Sequence, residues 1–203
     1  MARGRKKRKE KFRAAVVGEG ITEWHYFHDL KQAEKLPYQL KPSLPKHSNY
    51  QEIFRKARQL ISEGYDHVYC VVDLDVILSL EEKTRERYEK AKKKLLQIPD
   101  VFIFETMPCT EYWFLLHYKE FSTRIYPDYY SLSRELERFL PGYEKSEAYF
   151  RRNKIYRTLK EAGNLNKAHS NAKRLCAERA RQDDSLFPFS EFWALMDLLF
   201  SKS

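Results

Sequence analysis

Residues 12–23 read FRAAVVGEGITE and residues 67–75 read HVYCVVDLD. Each stretch opens on an unbroken apolar run and closes on acidic residues where that run stops. AAVV and VYCVV show no polar alternation, the pattern of strands covered on both faces in a parallel sheet. Gly18-Glu19-Gly20 ends the first run, and Asp73-Leu74-Asp75 ends the second. Ligands of open α/β sheets collect at the carboxyl ends of the strands. The two stretches therefore tie a fold class to a site.

Working outward, Thr22 is a suitable N-cap and predicts a helix over residues 23–35, with Trp24, Phe27 and Leu30 on one face and Pro37 as its stop. Weak alternation over residues 38–44 predicts a strand. Asn49 opens a helix whose apolar stripe is Ile53, Phe54, Ala57, Leu60 and Ile61, closed by Gly64. Residues 81–97 read as an exposed amphipathic helix and residues 101–105 (VFIFE) as a strand. Thr110 caps a helix running to residue 118. From residue 131 the signals are helical, over 133–140, 148–161, 166–181 and 190–199. Strand–helix alternation followed by helices predicts an α/β fold, a parallel sheet flanked by helices with a C-terminal helical extension. The expected division is a basic tail over residues 1–12, a core over 13–125 and a helical extension over 126–203 packed on that core.

The chain of 203 residues can bury a core without disulfide or metal staples. Its net charge of +9 is unevenly spread: residues 1–13 carry +7, residues 151–181 carry +8, and the remainder carries −6. Basic blocks of this kind attract phosphodiester backbones, with steep salt dependence. Candidate phosphate contacts are Arg5, Lys6, Lys7 and Arg8 in the tail, and Lys145, Arg151 and Arg152 further on. A solubilising tail and an ordinary solvated helix face are the plain alternative. Cys70, Cys109 and Cys176 form no CxxC pair, which argues against a disulfide framework and a structural zinc site. No apolar run approaches the ~20 residues that span a bilayer. FRAAVV is too short for the apolar centre of a signal peptide. The cytoplasm is the expected location and no membrane partner is expected, although RGRKKRK would also fit a nuclear signal.

Strand side chains alternate, so an Asp-x-Asp at a strand end is expected to aim both carboxylates to one side. Beside a parallel strand ending at Glu19, Asp73 and Asp75 would complete a cluster of three carboxylates. Like charges this close call for a cation, and hard oxygen ligands suit Mg²⁺ or Mn²⁺. Such an ion polarises a phosphate and acidifies an attacking water. Glu23, four residues after Glu19, and Glu111, at the start of a later helix, could join the cluster. The bland reading makes Asp73 and Asp75 turn residues, Glu19 a helix cap, and Glu23 a partner for the helix dipole. His117, beside Leu115 and Leu116, reads as a packing residue. There is no P-loop and no HExxH.

Four ordered segments also carry a resemblance. VVGEGITEWHYF (16–27), VYCVVDLDV (68–76), MPCTEYWFLLHY (107–118) and FPFSEFWALMDLL (187–199) resemble, in order, the motifs of the RloB family. The chain departs from the family pattern at Met107, where Asn is common before Pro, at Thr110 in place of an aromatic residue, and at Phe189-Ser190 in place of Ser-Thr. The acidic positions are intact. The family is similar to the AbiLii proteins, is regarded as toprim-like, and occurs beside an AAA-type ATPase in phage-defence and restriction-associated loci. The resemblance implies a Mg²⁺-binding set of Glu19, Asp73 and Asp75, with Glu19, Glu23 and Glu111 as catalytic carboxylates, acting on nucleic acid. It also implies an ATPase partner and an antiphage role. Two other readings stay open: a non-catalytic nucleic-acid sensor, and an interaction subunit that docks through its aromatic C-terminal helix. DNA versus RNA, and a homo-oligomer versus a monomer, are likewise open.

Overall fold

In the computed structural model, residues 11–119, 121–181 and 186–201 are described. The apolar runs form the inner strands of one sheet. β1 (Arg13–Val17) and β3 (His67–Asp73) lie side by side and parallel, with Val17 opposite Cys70. β2 (Gln39–Ser43) pairs parallel on the far side of β1, and β4 (Val101–Met107) pairs parallel on the far side of β3. β5 (Phe189–Ser190) adds an antiparallel edge against Thr106 and Met107, giving the order β2-β1-β3-β4-β5. The sheet is therefore mixed and mostly parallel, and the chain has the expected α/β class.

The order places a topological switch between β1 and β3. The chain leaves β1 through α1 (Ile21–Glu34) toward β2, then returns through α2 (Tyr50–Ser62) to β3 on the other side. Right-handed crossovers in opposite directions put α1 and α2 on opposite faces. On the α2 face, Tyr50 and Phe54 pack against Tyr88 of α4 (Glu82–Leu95). On the α1 face, Tyr26 and Phe27 pack against Phe192 of α10 (Phe192–Ser201), which also stacks on Trp113 of α5 (Glu111–Leu115) at 5.7 Å. Aromatic pairs of this kind contribute about 0.5–1.5 kcal/mol each beyond their area. Phe189, Phe192 and Met196 are buried, so much of the C-terminal aromatic stripe packs on the chain's own core.

Several local expectations are corrected. Helix α1 starts at Ile21, and the side chain of Thr22 bonds across the structure to Glu111 instead of capping its own helix. The helix expected over 148–161 is two, α7 (Glu147–Asn153) and α8 (Ile155–Ala162). They part at Lys154, which takes the left-handed conformation (φ 46°), while the Thr158 hydroxyl binds the Asn153 carbonyl. Regular helix α5 ends at Leu115, short of residue 118. Asp75 lies in the first turn of a short helix, α3 (Asp75–Ser79), that the sequence reading lacked. The helical signals over 126–203 resolve into α6 (Tyr129–Leu136), α7, α8, α9 (Leu165–Arg179) and α10, with β5 among them. Among the described residues, no helix is long and apolar enough to cross a membrane.

Candidate active site

The site lies at the carboxyl ends of β1 and β3, where the sheet order reverses. β1 runs into Gly18, and there the chain passes very close to the first turn of α1. A Cβ on Gly18 would sit 2.2 Å from Cβ and 2.4 Å from Cγ of Glu23, so a glycine is required. That contact folds Glu23 over the strand end, and its Oε2 accepts the Gly20 N–H at 2.8 Å. Glu19, half-buried on the same turn, accepts the backbone N–H of Asp73 on Oε1 at 3.2 Å.

Asp73 closes β3. Its Oδ1 accepts three bonds: from Thr106 Oγ1 at 2.8 Å, Thr110 N–H at 3.0 Å and Thr110 Oγ1 at 3.1 Å. Glu111 opens α5 and is fully buried. Its Oε1 accepts the hydroxyls of Thr22 and Tyr143, each at 3.0 Å, and Lys145 Nζ stands 3.3 Å away.

One pattern runs through these carboxylates. Glu19, Glu23, Asp73 and Glu111 each have one oxygen tied by protein donors. Glu23 Oε1 and Glu111 Oε2 are buried with no hydrogen-bond partner among the described residues. The second oxygens of Glu19 and Asp73 likewise make no hydrogen bond among the described residues. Ligands held by one oxygen and bare on the other are oriented before anything binds.

The electrostatics are strained. Four carboxylates face one ammonium, Lys145, so the fully ionised set carries a formal charge of −3. Burial, and then the charge of Glu23, push Glu19 up to about 7. Burial also raises Glu23, with Glu111 adding to it, and raises Asp73 well above the carboxylate range, with Glu23 and Glu19 adding to it. Glu111 is depressed despite its burial, because Lys145 and its hydrogen bonds favour the anion; Lys145 is raised in turn. Bare buried carboxylate oxygens with excess negative charge fit a divalent cation. A carboxylate oxygen of Asp73, the Cys109 sulfur and a carboxylate oxygen of Glu111 lie within 4.8 Å of one another, close enough to hold a metal ion. Burial holds the Cys109 thiol far above its ordinary value, and a neutral thiol is a poor ligand for a hard cation.

This grouping shares Asp73 with the triad expected from sequence. Asp73 and Asp75 do not project from one side of a strand. β3 ends at Asp73, Leu74 is already helical, and Asp75 Oδ1 accepts the Val76 N–H at 2.7 Å on α3. Asp75 stands half-buried beside the cluster and contributes charge to Glu19. Arg151 and Arg152 are exposed on α7, with Arg151 paired to Glu147 at 2.7 Å. Arg5, Lys6, Lys7 and Arg8 lie outside the described residues.

The sequence reading missed Thr22, Thr106, Thr110 and Tyr143. A signal was present for two of them, because a Thr-Glu pair lies in the first turn of α1 and another at the start of α5: Thr22-Glu23 and Thr110-Glu111. The threonines work across the site, Thr22 on Glu111 and Thr110 on Asp73. Thr106 is opposite Asp73 in the register of β3 and β4, which sequence alone does not reveal.

A mostly parallel α/β sheet with acidic side chains gathered at its switch point defines a class of protein with a polar, cation-suited centre. The RloB-like protein family matches residues 14–199, nearly the whole chain, and the chain belongs to that family. No curated protein and no solved structure matches it.

Proposed function

We propose that this chain is a divalent-metal-dependent nuclease of the toprim type, acting on nucleic-acid phosphodiesters. The observation that carries the reading is the set of four carboxylates at one switch point, each with one oxygen tied and one bare. Asp73 and Glu111 would hold a Mg²⁺ or Mn²⁺ ion, with Glu19 and Glu23 at its flanks and Asp75 further out. When bound, such an ion polarises a phosphoryl oxygen and acidifies a water.

The chain's own groups supply the rest. Thr106 and Thr110 fix Asp73, and Thr22 and Tyr143 fix Glu111, so neither carboxylate has to reorganise when substrate arrives. Glu19, the least buried of the four, is the group placed to exchange a proton with a leaving or attacking oxygen. Lys145, at the rim, would meet phosphate charge, and Arg151 and Arg152 would track the backbone. On the resemblance of the four motifs, the activity would belong to antiphage defence, in the cytoplasm and with an ATPase partner.

A second reading rests on the Lys145–Glu111 pair, which already neutralises one carboxylate. In it the site is structural and the chain senses nucleic acid without cutting it. One assay separates the two. The protein is incubated with supercoiled DNA, single-stranded DNA or total tRNA in Mg²⁺, Mn²⁺ or EDTA, alone and with the ATPase, beside Asp73→Asn. Cleavage lost in EDTA and in Asp73→Asn supports the nuclease. Binding without cleavage under every condition supports the sensor.

A further inference from the structure

A pocket of about 250 Å³ has Ile21, from the turn that carries Glu19 and Glu23, in its lining, and the function proposed above uses only Arg151 of that lining. Trp24, His25 and His28 of α1 line it from one side, and Glu147, Arg151 and Lys154 line it from the other. Both sides begin in the site. Ile21, also in the lining, lies between Gly20, whose N–H holds Glu23, and Thr22, whose hydroxyl holds Glu111. Glu147 follows two residues after Lys145, the partner of Glu111. Two separate chain segments thus lead from the carboxylates into the pocket.

The core does not account for these rings. α1 turns Tyr26, Phe27 and Leu30 inward, all fully buried, and leaves Trp24, His25 and His28 half-buried on its other side. They are nonetheless ordered as flat surfaces. The Trp24 indole stacks on His28 at 4.6 Å with 11° between the planes, and His25 stacks on the buried Phe150 at 5.3 Å with 22°. Burial lowers both imidazoles below their ordinary value, so at neutral pH they are uncharged aromatic partners. Exposed cations, Arg151 and Lys154, stand at the rim.

Stacking rings beside cations recognise a base and its phosphate, and they tolerate any base because each has a π-face. The size decides between whole and partial ligands. About 250 Å³ is below the ~300–1,000 Å³ of pockets for drug-sized molecules, and suits one flat ring system. A base inside a duplex cannot enter without being unstacked and turned out.

We propose that Trp24, His25 and His28 form a stacking pocket for one unpaired nucleobase of a single-stranded or looped nucleic acid, with Arg151 and Lys154 on the flanking phosphates. The identity of the ligand as a nucleic acid rests on the nuclease reading; the stacking geometry does not.

The test is equilibrium binding by the full chain, in EDTA, of a fluorescein-labelled oligothymidylate, the same strand annealed into a duplex, and its abasic counterpart. The expected order is strand tighter than duplex or abasic strand. Trp24→Leu should weaken strand binding about 5- to 100-fold, the scale of one lost stacked base, and leave the duplex unchanged. Trp24→Tyr should recover most of the loss. Arg151→Glu, at an exposed position that the fold does not need, should weaken the strand and flatten its salt dependence. Equal effects of Trp24→Leu on strand, duplex and abasic strand would overturn the pocket, as would no effect on any. A nucleoside monophosphate that binds as tightly as the strand would overturn it in favour of a free-nucleotide site. Cleavage that needs Asp73 but ignores Trp24 removes the pocket and keeps the nuclease. Trp24-dependent strand binding with no metal-dependent cleavage does the opposite.

Discussion

Two buried acidic centres in this protein are built on opposite principles. Glu135 on α6 receives Lys119 at 2.7 Å, Arg138 at 3.2 Å and Arg124 at 3.4 Å. Both of its oxygens are occupied, and its acidity is strengthened, chiefly by the bond from Lys119. At the switch point the ratio is reversed, with four carboxylates, one lysine and bare oxygens. The Glu135 centre has more cations than carboxylates and leaves neither oxygen without a partner. One that leaves charge and lone pairs uncompensated costs stability while nothing is bound there.

The contrast breaks most visibly on activity. Asp73→Asn should lower metal-dependent cleavage by on the order of 100-fold or more in kcat/KM, the scale of losing one group that stabilises transition-state charge. Glu135→Gln should leave it within twofold; equal losses would erase the distinction. Gly18→Ala comes next. The new methyl collides with Glu23 and has no flexible neighbour tip to displace, so a cost of about 1–3 kcal/mol and a loss of cleavage are expected. A thermal melt with unchanged midpoint would show that the strand end is looser than described.

Stability should then move in opposite directions in metal-free buffer. Asp73→Asn keeps an acceptor for its three donors and removes a carboxyl whose ionisation burial and its neighbours oppose, so it should stabilise by about 0.5–2 kcal/mol. Glu135→Gln strips the charge from three partly exposed pairs and should destabilise by about 1–2 kcal/mol. Calorimetric melts of both variants in EDTA read the two signs side by side.

The same imbalance shows in the pH slope. Glu19, Glu23 and Asp73 are raised in the folded state, so the native protein takes up protons before the unfolded chain does as pH falls. Metal-free stability should therefore rise from about pH 7, the Glu19 value, toward the ~4.3 of an unfolded glutamate. His117 works in the other direction. Burial lowers it to about 4, and its Nδ1 donates to the Trp113 carbonyl. Its contribution is complete above the ~6.5 of an unfolded histidine and is lost as pH falls below that, by about 3 kcal/mol at most. Glu19→Gln should remove part of the rise, and His117→Asn part of the fall, in melts across pH 4.5–8. A Glu19→Gln profile that overlays the parent would refute the charge imbalance.

The strand ends were legible because buried parallel strands write unbroken apolar runs, and AAVV and VYCVV are such runs. Glu19, Glu23, Asp73 and Glu111 could be picked out because each follows a strand or opens a helix. Asp75 was misplaced because period-two alternation was carried two residues too far, past Asp73 into a helical turn. Beyond the Thr-Glu pairs at Thr22 and Thr110, the roles of the threonines and Tyr143 were not legible. Their partners lie 32 to 89 residues away, and only the sheet order and the packing of α1, α5 and the residue 143–145 segment bring them into contact. The division of α7 from α8 turned on one left-handed lysine, which carries no mark that an ordinary helical lysine lacks.

The last helix has a consequence for how the protein is made. Phe192 covers Tyr26, Phe27 and Trp113, and the Leu199 carbonyl accepts the Tyr38 hydroxyl at 2.7 Å. Those partners belong to segments translated more than seventy residues earlier. Until residues 189–200 emerge from the ribosome, that face of α1 is closed only in part, by Phe114 and Tyr156 on Tyr26. Until then the nascent chain carries part of that aromatic surface open to self-association and to chaperones.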